Sequence, residues 1–230
     1  FMRKGIRGAI LRATAQSRAV CEAIAAEGFP VVVLGERFEG GTIPFIYTES
    51  RATSKEAIDY LLGLGHRRIA ICLNVVDDAD HMDRLAGYRE SLAAHGVPAD
   101  EKLIWRIPAN QESGPQAIKR FVAAVDRPTA LYIADPLTCV GALAEARRIG
   151  LVVPRDLSIV GFDDGDLRQC LYPALSAVCQ DARALGRAAL LILDRCMNEG
   201  RTALTDVPTP RCWLEIHETT GPAPVPATSI

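Results

Sequence analysis

Apolar runs alternate with helical patterns along most of the chain. Gly8 to Leu11 reads as a short buried strand, and Ser17 to Glu27 as a helix with Ala19, Ala23 and Ala26 on one face. Gly28 ends that helix, and Val31 to Leu34 is apolar on both faces, as a buried parallel strand requires. Phe45 to Thr48 is a further short strand. Ala52 to Leu64 is the clearest helix: Ala57, Ile58, Leu61 and Leu62 form one stripe and Gly65 supplies a left-handed cap. The alternation continues with strands over Arg68 to Leu73, Ile104 to Ile107, Ala130 to Ile133, Leu157 to Val160 and Leu175 to Cys179. Helices are expected over Arg84 to Ala94, Ser113 to Ala124, Leu137 to Ile149 and Asp181 to Asn198, and Val207 to Ile216 closes the pattern as an extended segment. Strands alternating with helices predict an α/β fold with mostly parallel, doubly wound sheets and right-handed crossovers.

Composition narrows the class. The chain has 230 residues, 49% of them hydrophobic and 23% charged, which is globular rather than disordered. No apolar run reaches the roughly 18 residues of a membrane span. The start, Phe-Met-Arg-Lys-Gly, shows no apolar segment with a small-residue cleavage site, so no secretory signal is expected. Net charge is −2, with 26 cations spread among 28 acids, and four of the cations are lysines. No basic block stands out, which argues against strong nucleic-acid binding by these residues alone. Seven cysteines (Cys21, Cys72, Cys139, Cys170, Cys179, Cys196, Cys212) are odd in number and far apart, without a C-x-x-C pair. They read as buried thiols in a reducing compartment, which favours the cytoplasm.

Ligands of open α/β sheets bind at the carboxyl ends of the strands. Arg12, Gly35, Glu36, Asn74, Asp135 and Asp163 follow predicted strands, and Arg84 opens a helix after the acidic loop Asp77 to Asp83. A carboxylate accepts pairs of hydroxyls and a guanidinium offers a planar fork, so Asp163 with Arg84 suits a polyhydroxylated small molecule. The residues alone equally allow Asp163 as a turn cap and Arg84 as a surface residue at a helix start. Signatures of an enzyme are missing: no G-x-S-x-G, no P-loop, and no G-x-G-x-x-G after a strand. The four histidines have no metal-ligand spacing, Asp163 and Asp164 point opposite ways on an extended segment, and the Asp77 to Asp80 run lacks the Gly and Glu of a calcium loop. No cofactor or metal is expected.

At Leu64-Gly-His-Arg-Arg-Ile-Ala70 and Gly150-Leu-Val-Val-Pro-Arg-Asp-Leu-Ser-Ile-Val-Gly-Phe-Asp-Asp164 the sequence resembles the LacI/GalR family of bacterial transcriptional regulators. Arg84-Leu-Ala-Gly-Tyr88, Pro128 to Ala134, Gln180, Leu185-Gly186 and Leu214 to Gly221 extend the resemblance over about Gly5 to Pro222. It implies two lobes of the type I periplasmic-binding-protein-like fold, joined by crossovers near Thr48 to Arg51, Cys179 to Asp181 and Pro208 to Pro210. The expected division is 1–49 plus 181–208 for a partial N-terminal lobe, 50–180 plus 209–220 for the C-terminal lobe, and 221–230 as a flexible tail. A small sugar-like or nucleobase effector would bind between the lobes and couple to operator affinity, most simply as a repressor. The resemblance assigns effector contacts to Arg84, Asp163 and Gln180, with Asp135 and Arg12 as further candidates. Cys170, Leu171 and Tyr172 resemble the family's homodimer contact; for Tyr172 local packing in its own lobe is the alternative.

The chain also departs from the family pattern. Neither a helix-turn-helix headpiece nor a hinge can be found in it, so operator DNA would be read by a headpiece absent from these residues. Its start resembles the third strand of the first lobe, and it therefore reads as a fragment. Asp135-Pro136 stands where Asn-Asp is usual, and a carboxylate there cannot donate a hydrogen bond. Arg12 replaces a small residue and hints at an effector with an anionic group, a phosphosugar or sugar acid. His217 replaces a usual Arg. The competing expectation is a periplasmic sugar-binding protein of a transport system, against which the seven cysteines count.

Overall fold

The computed structural model describes residues 5–13, 15–38, 40–163, 165–199 and 209–224. In chain order its elements are β1 (Ala9–Arg12), α1 (Arg18–Ala26), β2 (Val31–Leu34), β3 (Phe45–Ile46), α2 (Arg51–Gly63), β4 (Ile69–Leu73), α3 (Ala79–Ala94), β5 (Ile104–Arg106) and α4 (Pro115–Ala123). There follow β6 (Ala130–Ile133), α5 (Pro136–Arg148), β7 (Ser158–Asp163), α6 (Leu167–Cys170), β8 (Ser176–Gln180), α7 (Ala182–Glu199) and β9 (Cys212–Glu215). They divide into two units: Phe1–Glu49, Asp77–Met82 and Asp181–Arg211 form the first, and Ser50–Val76, Asp83–Gln180 and Cys212–Ile230 the second.

The first unit holds a parallel sheet in the order β1-β2-β3, with Ala9 opposite Val31 and Val33 opposite Phe45. Strand alternation sends Val31 and Val33 to one face, among Cys21, Ala25, Phe29 and Phe38, and Val32 to the other, among Leu185, Ala189 and Ile192 of α7. The buried positions of α7 (Leu185, Ala188, Ala189, Ile192, Leu193, Cys196) repeat at three and four residues, the stripe of a helix lying on a sheet.

The second unit is a six-stranded sheet, β5-β4-β6-β7-β8-β9, parallel from β5 to β8 with β9 antiparallel at the edge. Both faces are covered. Ala70, Cys72, Leu131, Ile133, Ile159 and Ala177 pack toward α4 and α5, through Ile118, Phe121, Ala142 and Ala146. Ile69, Ile71, Tyr132, Val160 and Val178 pack toward α2 and α3, through Ile58, Leu61, Leu85 and Tyr88. Because β4 pairs with β5 on one side and β6 on the other, the strand order reverses at β4. A crevice outside the carboxyl ends of β4 and β6 is where an open sheet of this kind receives a ligand.

Three details differ from the pattern read in the sequence. Helix α3 begins at Ala79, five residues before Arg84, because the Asp78 carboxylate accepts from the His81 amide (2.9 Å) and caps the first turn. Residues 77–82 group with the first unit, where Glu36 Oε2 accepts from the Ala79 amide (3.2 Å) and Arg12 reaches Asp80. Residues 209–211 fall there too, whereas the expected division gave both stretches to the second lobe. Finally, residues 221–224 are not a frayed tail. The Gly221 carbonyl accepts from the buried His66 imidazole (3.0 Å) and from Ser158 Oγ (3.2 Å), and the Ala223 amide donates to Leu64 (2.9 Å). Residues 225–230, the 207–208 part of the last expected strand, and Asp164 lie outside the described residues.

Candidate functional site

The carboxyl ends of the second unit's strands bring together Asn74 after β4, Asp135 after β6, Asp163 closing β7 and Gln180 closing β8. Helix α3 delivers Arg84 to the same edge. Its guanidinium lies over the Phe162 ring at 3.6 Å, and Nη1 donates to the Ala134 carbonyl at 2.6 Å. The side chain is thus clamped between the ends of β6 and β7, next to the strand-order reversal, and only 5% of the residue is exposed. A cation stacked on an aromatic face and hydrogen-bonded to a strand end is held in one orientation.

The two carboxylates at this edge are already engaged. Asp163 is fully buried; Oδ1 accepts from the Gly165 amide (3.1 Å), and Oδ2 accepts from the Arg168 amide (3.3 Å) and its Nη1 (2.9 Å). Asp163 thus caps the turn that leads into α6, the simpler of the two readings of this residue. Asp135 caps α5, its Oδ1 accepting from the Thr138 amide and from Thr138 Oγ1, each at 2.7 Å. Gln180 is half-buried at the end of β8, opposite Cys212. In the first unit Arg12 closes β1 and points across Gly35, whose φ of +78° favours glycine; a Cβ there would lie 1.4 Å from Arg12 Nη1, so the arginine side chain would have to swing away. Arg12 Nη2 contacts Asp80 Oδ2 at 3.4 Å, and 60% of the Arg12 side chain remains exposed.

Arg168 lies outside the stretches that carry the resemblance, and neither it nor its pairing with Glu215 was foreseen. Arg168 is buried; its Nε and Nη2 donate to the two oxygens of Glu215 at 2.6 and 3.1 Å, and Nη1 also donates to the Gly165 carbonyl at 2.8 Å. Trp213 Nε1 donates to Glu215 Oε1 (2.7 Å), and His217 Nε2 meets Oε2 (3.2 Å). The Arg168 fork, then the Trp213 and His217 donors, hold the Glu215 carboxyl down at about 2. The available signal was a lone Glu in the apolar run Cys212 to Ile216.

Tyr172 is 84% exposed, Cys170 is exposed as well, and Leu171 is half-buried against the core. A cleft of about 510 Å³, lined by Leu143, Leu151, Val153, Pro154, Tyr172 and Pro173, lies by the C-terminus of α5 and the start of β8. That places it at the amino ends of the strands, away from Arg84. Five of the cysteines are buried, and burial pushes the Cys72 and Cys179 thiols up to about 12. Among the described residues no group of His, Cys, Asp and Glu could hold a metal ion, and no helix is long and apolar enough to cross a membrane.

Comparison with known proteins now decides the family. The periplasmic binding protein-like domain family matches residues 58–219. The chain belongs to that family. Its curated relatives place it on the LacI/GalR side: the HTH-type transcriptional repressor CytR of Escherichia coli K12 is 32% identical over 164 residues, 71% of this chain and 48% of CytR. The ribose operon repressor of Haemophilus influenzae is 30% identical over 215 residues, 93% of this chain and 64% of that repressor. A regulatory protein of the LacI family from Chloroflexus aggregans has a solved structure that matches with a TM-score of 0.81 at 30% identity, covering 96% of this chain and 79% of that one. The periplasmic binding protein-like chain thus spans about half of CytR and under two thirds of the ribose operon repressor. These relatives are transcriptional regulators rather than enzymes, and a transport-type binding protein is not favoured.

Proposed function

We propose that the chain is the effector-sensing and dimerisation core of a LacI-type DNA-binding regulator, acting as a repressor in the cytoplasm. In this reading a small sugar-like effector binds at the carboxyl ends of the strands and shifts operator affinity. The observation that carries it is the clamped Arg84: an oriented guanidinium at the strand-order reversal, where Asp135, Asp163 and Gln180 also end. Arg84 would donate to effector oxygens, Gln180 would offer both donor and acceptor, and Asp163 and Asp135 would accept from hydroxyls with whatever capacity their structural bonds leave. Arg12 would favour an effector with a phosphate or carboxylate. Cys170, Leu171 and Tyr172 would form part of a homodimer contact, consistent with the exposure of Tyr172. Operator DNA would be read by a headpiece outside these residues. Coupling between effector and operator in such systems is about 1–3 kcal/mol, or roughly five- to 150-fold in affinity.

The test is a thermal-shift screen against D-ribose, sugar phosphates, sugar acids and nucleosides. A ligand at about 100 times its Kd stabilises by about 2.7 kcal/mol, which is several degrees for a chain of this size. A hit that weakens in Arg84→Ala supports the reading, and a hit among anionic compounds only supports the part given to Arg12. No stabilisation by any member of the panel defeats it.

A further inference from the structure

Asp163 has two neighbours in sequence terms: the end of β7, where the effector reading places it, and α6, four residues on. Its Oδ2 binds the first turn of α6 twice, through the Arg168 amide and Nη1. An ionised carboxylate has about four acceptor positions. Three are filled by described residues, and the fourth lies on Oδ1, which accepts only from the Gly165 amide among them. Arg168 in turn is fixed from the other side by the Glu215 fork on β9, and its carbonyl accepts from the Leu175 amide (3.1 Å) at the start of β8. Two residues beyond Arg168 comes Cys170, then Leu171 and the exposed Tyr172. The chain thus passes from the carboxyl end of β7 to the amino end of β8 through a helix of only four residues, too short to be stable by itself. What ties α6 to β7 and β9 is one buried guanidinium shared by Asp163 and Glu215, with the exposed Asp166 carboxylate 3.6 Å from Nη1.

We propose that Arg168 is the positioning residue of the second unit: it limits Asp163 to a single acceptor for a ligand and ties that carboxylate to the Cys170–Tyr172 segment through α6. A ligand hydroxyl that takes the open position on Oδ1 leaves this link in place, whereas one that displaces Arg168 from Oδ2 releases α6. A ligand that needs two acceptors from Asp163 is disfavoured for as long as Arg168 occupies Oδ2. This rests on the effector role proposed for Asp163. The linkage from Asp163 through Arg168 to residues 170–172 can nonetheless be measured with no effector present.

The experiment is a cycle of amide hydrogen exchange on the whole chain, read on peptides covering residues 165–175, with β4 and β6 peptides as the reference for global opening. Asp163→Asn removes the charge that Arg168 pairs with and speeds exchange in the 165–175 peptides about tenfold, the scale of one charge-assisted hydrogen bond. In an Arg168→Met/Glu215→Gln background the same change has less than about a twofold effect, because the link is already cut. Arg168→Lys keeps the charge without the fork, so it restores part of the protection lost in Arg168→Met. It also carries the cycle if the double variant does not fold: Asp163→Asn must then act more weakly in the Lys background than in the wild type. The inference is overturned if Asp163→Asn has the same effect in every background, or none in any. A ligand panel that stays silent would count against the proposed function, while the cycle would still decide this link.

Discussion

At the end of β7, Arg168 keeps 8% of its side chain exposed and divides its fork between a fully buried Asp163 and a partly buried Glu215. At the end of β1, Arg12 keeps 60% of its side chain exposed and meets Asp80 at 3.4 Å with one nitrogen. Both pairs occupy the position in a parallel sheet where ligands arrive, and both join an arginine to a buried carboxylate. Solvent makes them different objects. Water screens the Arg12 pair and leaves its fork available, so it can change partner at little cost. The Arg168 pair has no water to replace a lost partner, so it is committed to the fold and can act on a ligand only through Asp163.

Removing each arginine should separate the two cases. Arg168→Met leaves the Asp163 charge buried without its partner, and breaking a buried pair in this way costs about 3–5 kcal/mol. Urea denaturation followed by tryptophan fluorescence reads this cleanly, because Trp105 and Trp213, the two tryptophans of the chain, both belong to the second unit. A cost below about 1 kcal/mol would put Arg168 in the same class as Arg12.

The acid limb of stability sharpens the contrast. Arg168 holds the Glu215 carboxyl at about 2, against 4.5 for the free side chain. A depressed folded value means that the unfolded chain takes up the proton first. The stabilisation is therefore complete above about pH 4.5 and is lost as pH falls toward 2. Glu215→Gln should flatten that limb; an unchanged acid limb would mean that Arg168 does not hold Glu215 charged.

In the first unit the corresponding lever is Gly35. Its left-handed φ costs about 1–2 kcal/mol for any residue with a Cβ, and that Cβ would strike the Arg12 guanidinium. Gly35→Ala should destabilise the first unit by about that amount, seen as faster amide exchange in β1 and β2, and should push Arg12 off Asp80. The smallest effect is expected for Arg12→Met, about 0–1 kcal/mol in stability, since an exposed pair contributes little. Its effect should appear instead in affinity for anionic ligands.

The same difference in range explains what could be read in the sequence. Val31 to Leu34 and Ala130 to Ile133 were legible as strands because both faces are buried and every residue is apolar. The start of α3 was hidden: its first turn is polar, with Asp80, His81 and Asp83, and it is stabilised by Asp78 and by Glu36, 43 residues away from Ala79. Arg84 and Asp163 stood out through a family motif. Arg168 did not, since Glu215, its strongest partner, is 47 residues distant and only the folded sheet brings β9 beside β8. Short-range periodicity finds surfaces that pack; it does not find which charge will be buried against which.

The most direct test of the central claim is calorimetric titration of the ligand selected by thermal shift into the wild-type chain and into Arg84→Met. If Arg84 is the oriented donor of an effector site, the wild type binds with one site per chain and Arg84→Met binds at least about tenfold more weakly, the cost of one charged hydrogen bond, while keeping the tryptophan fluorescence of the folded second unit. Equal affinity in the two proteins would contradict the account.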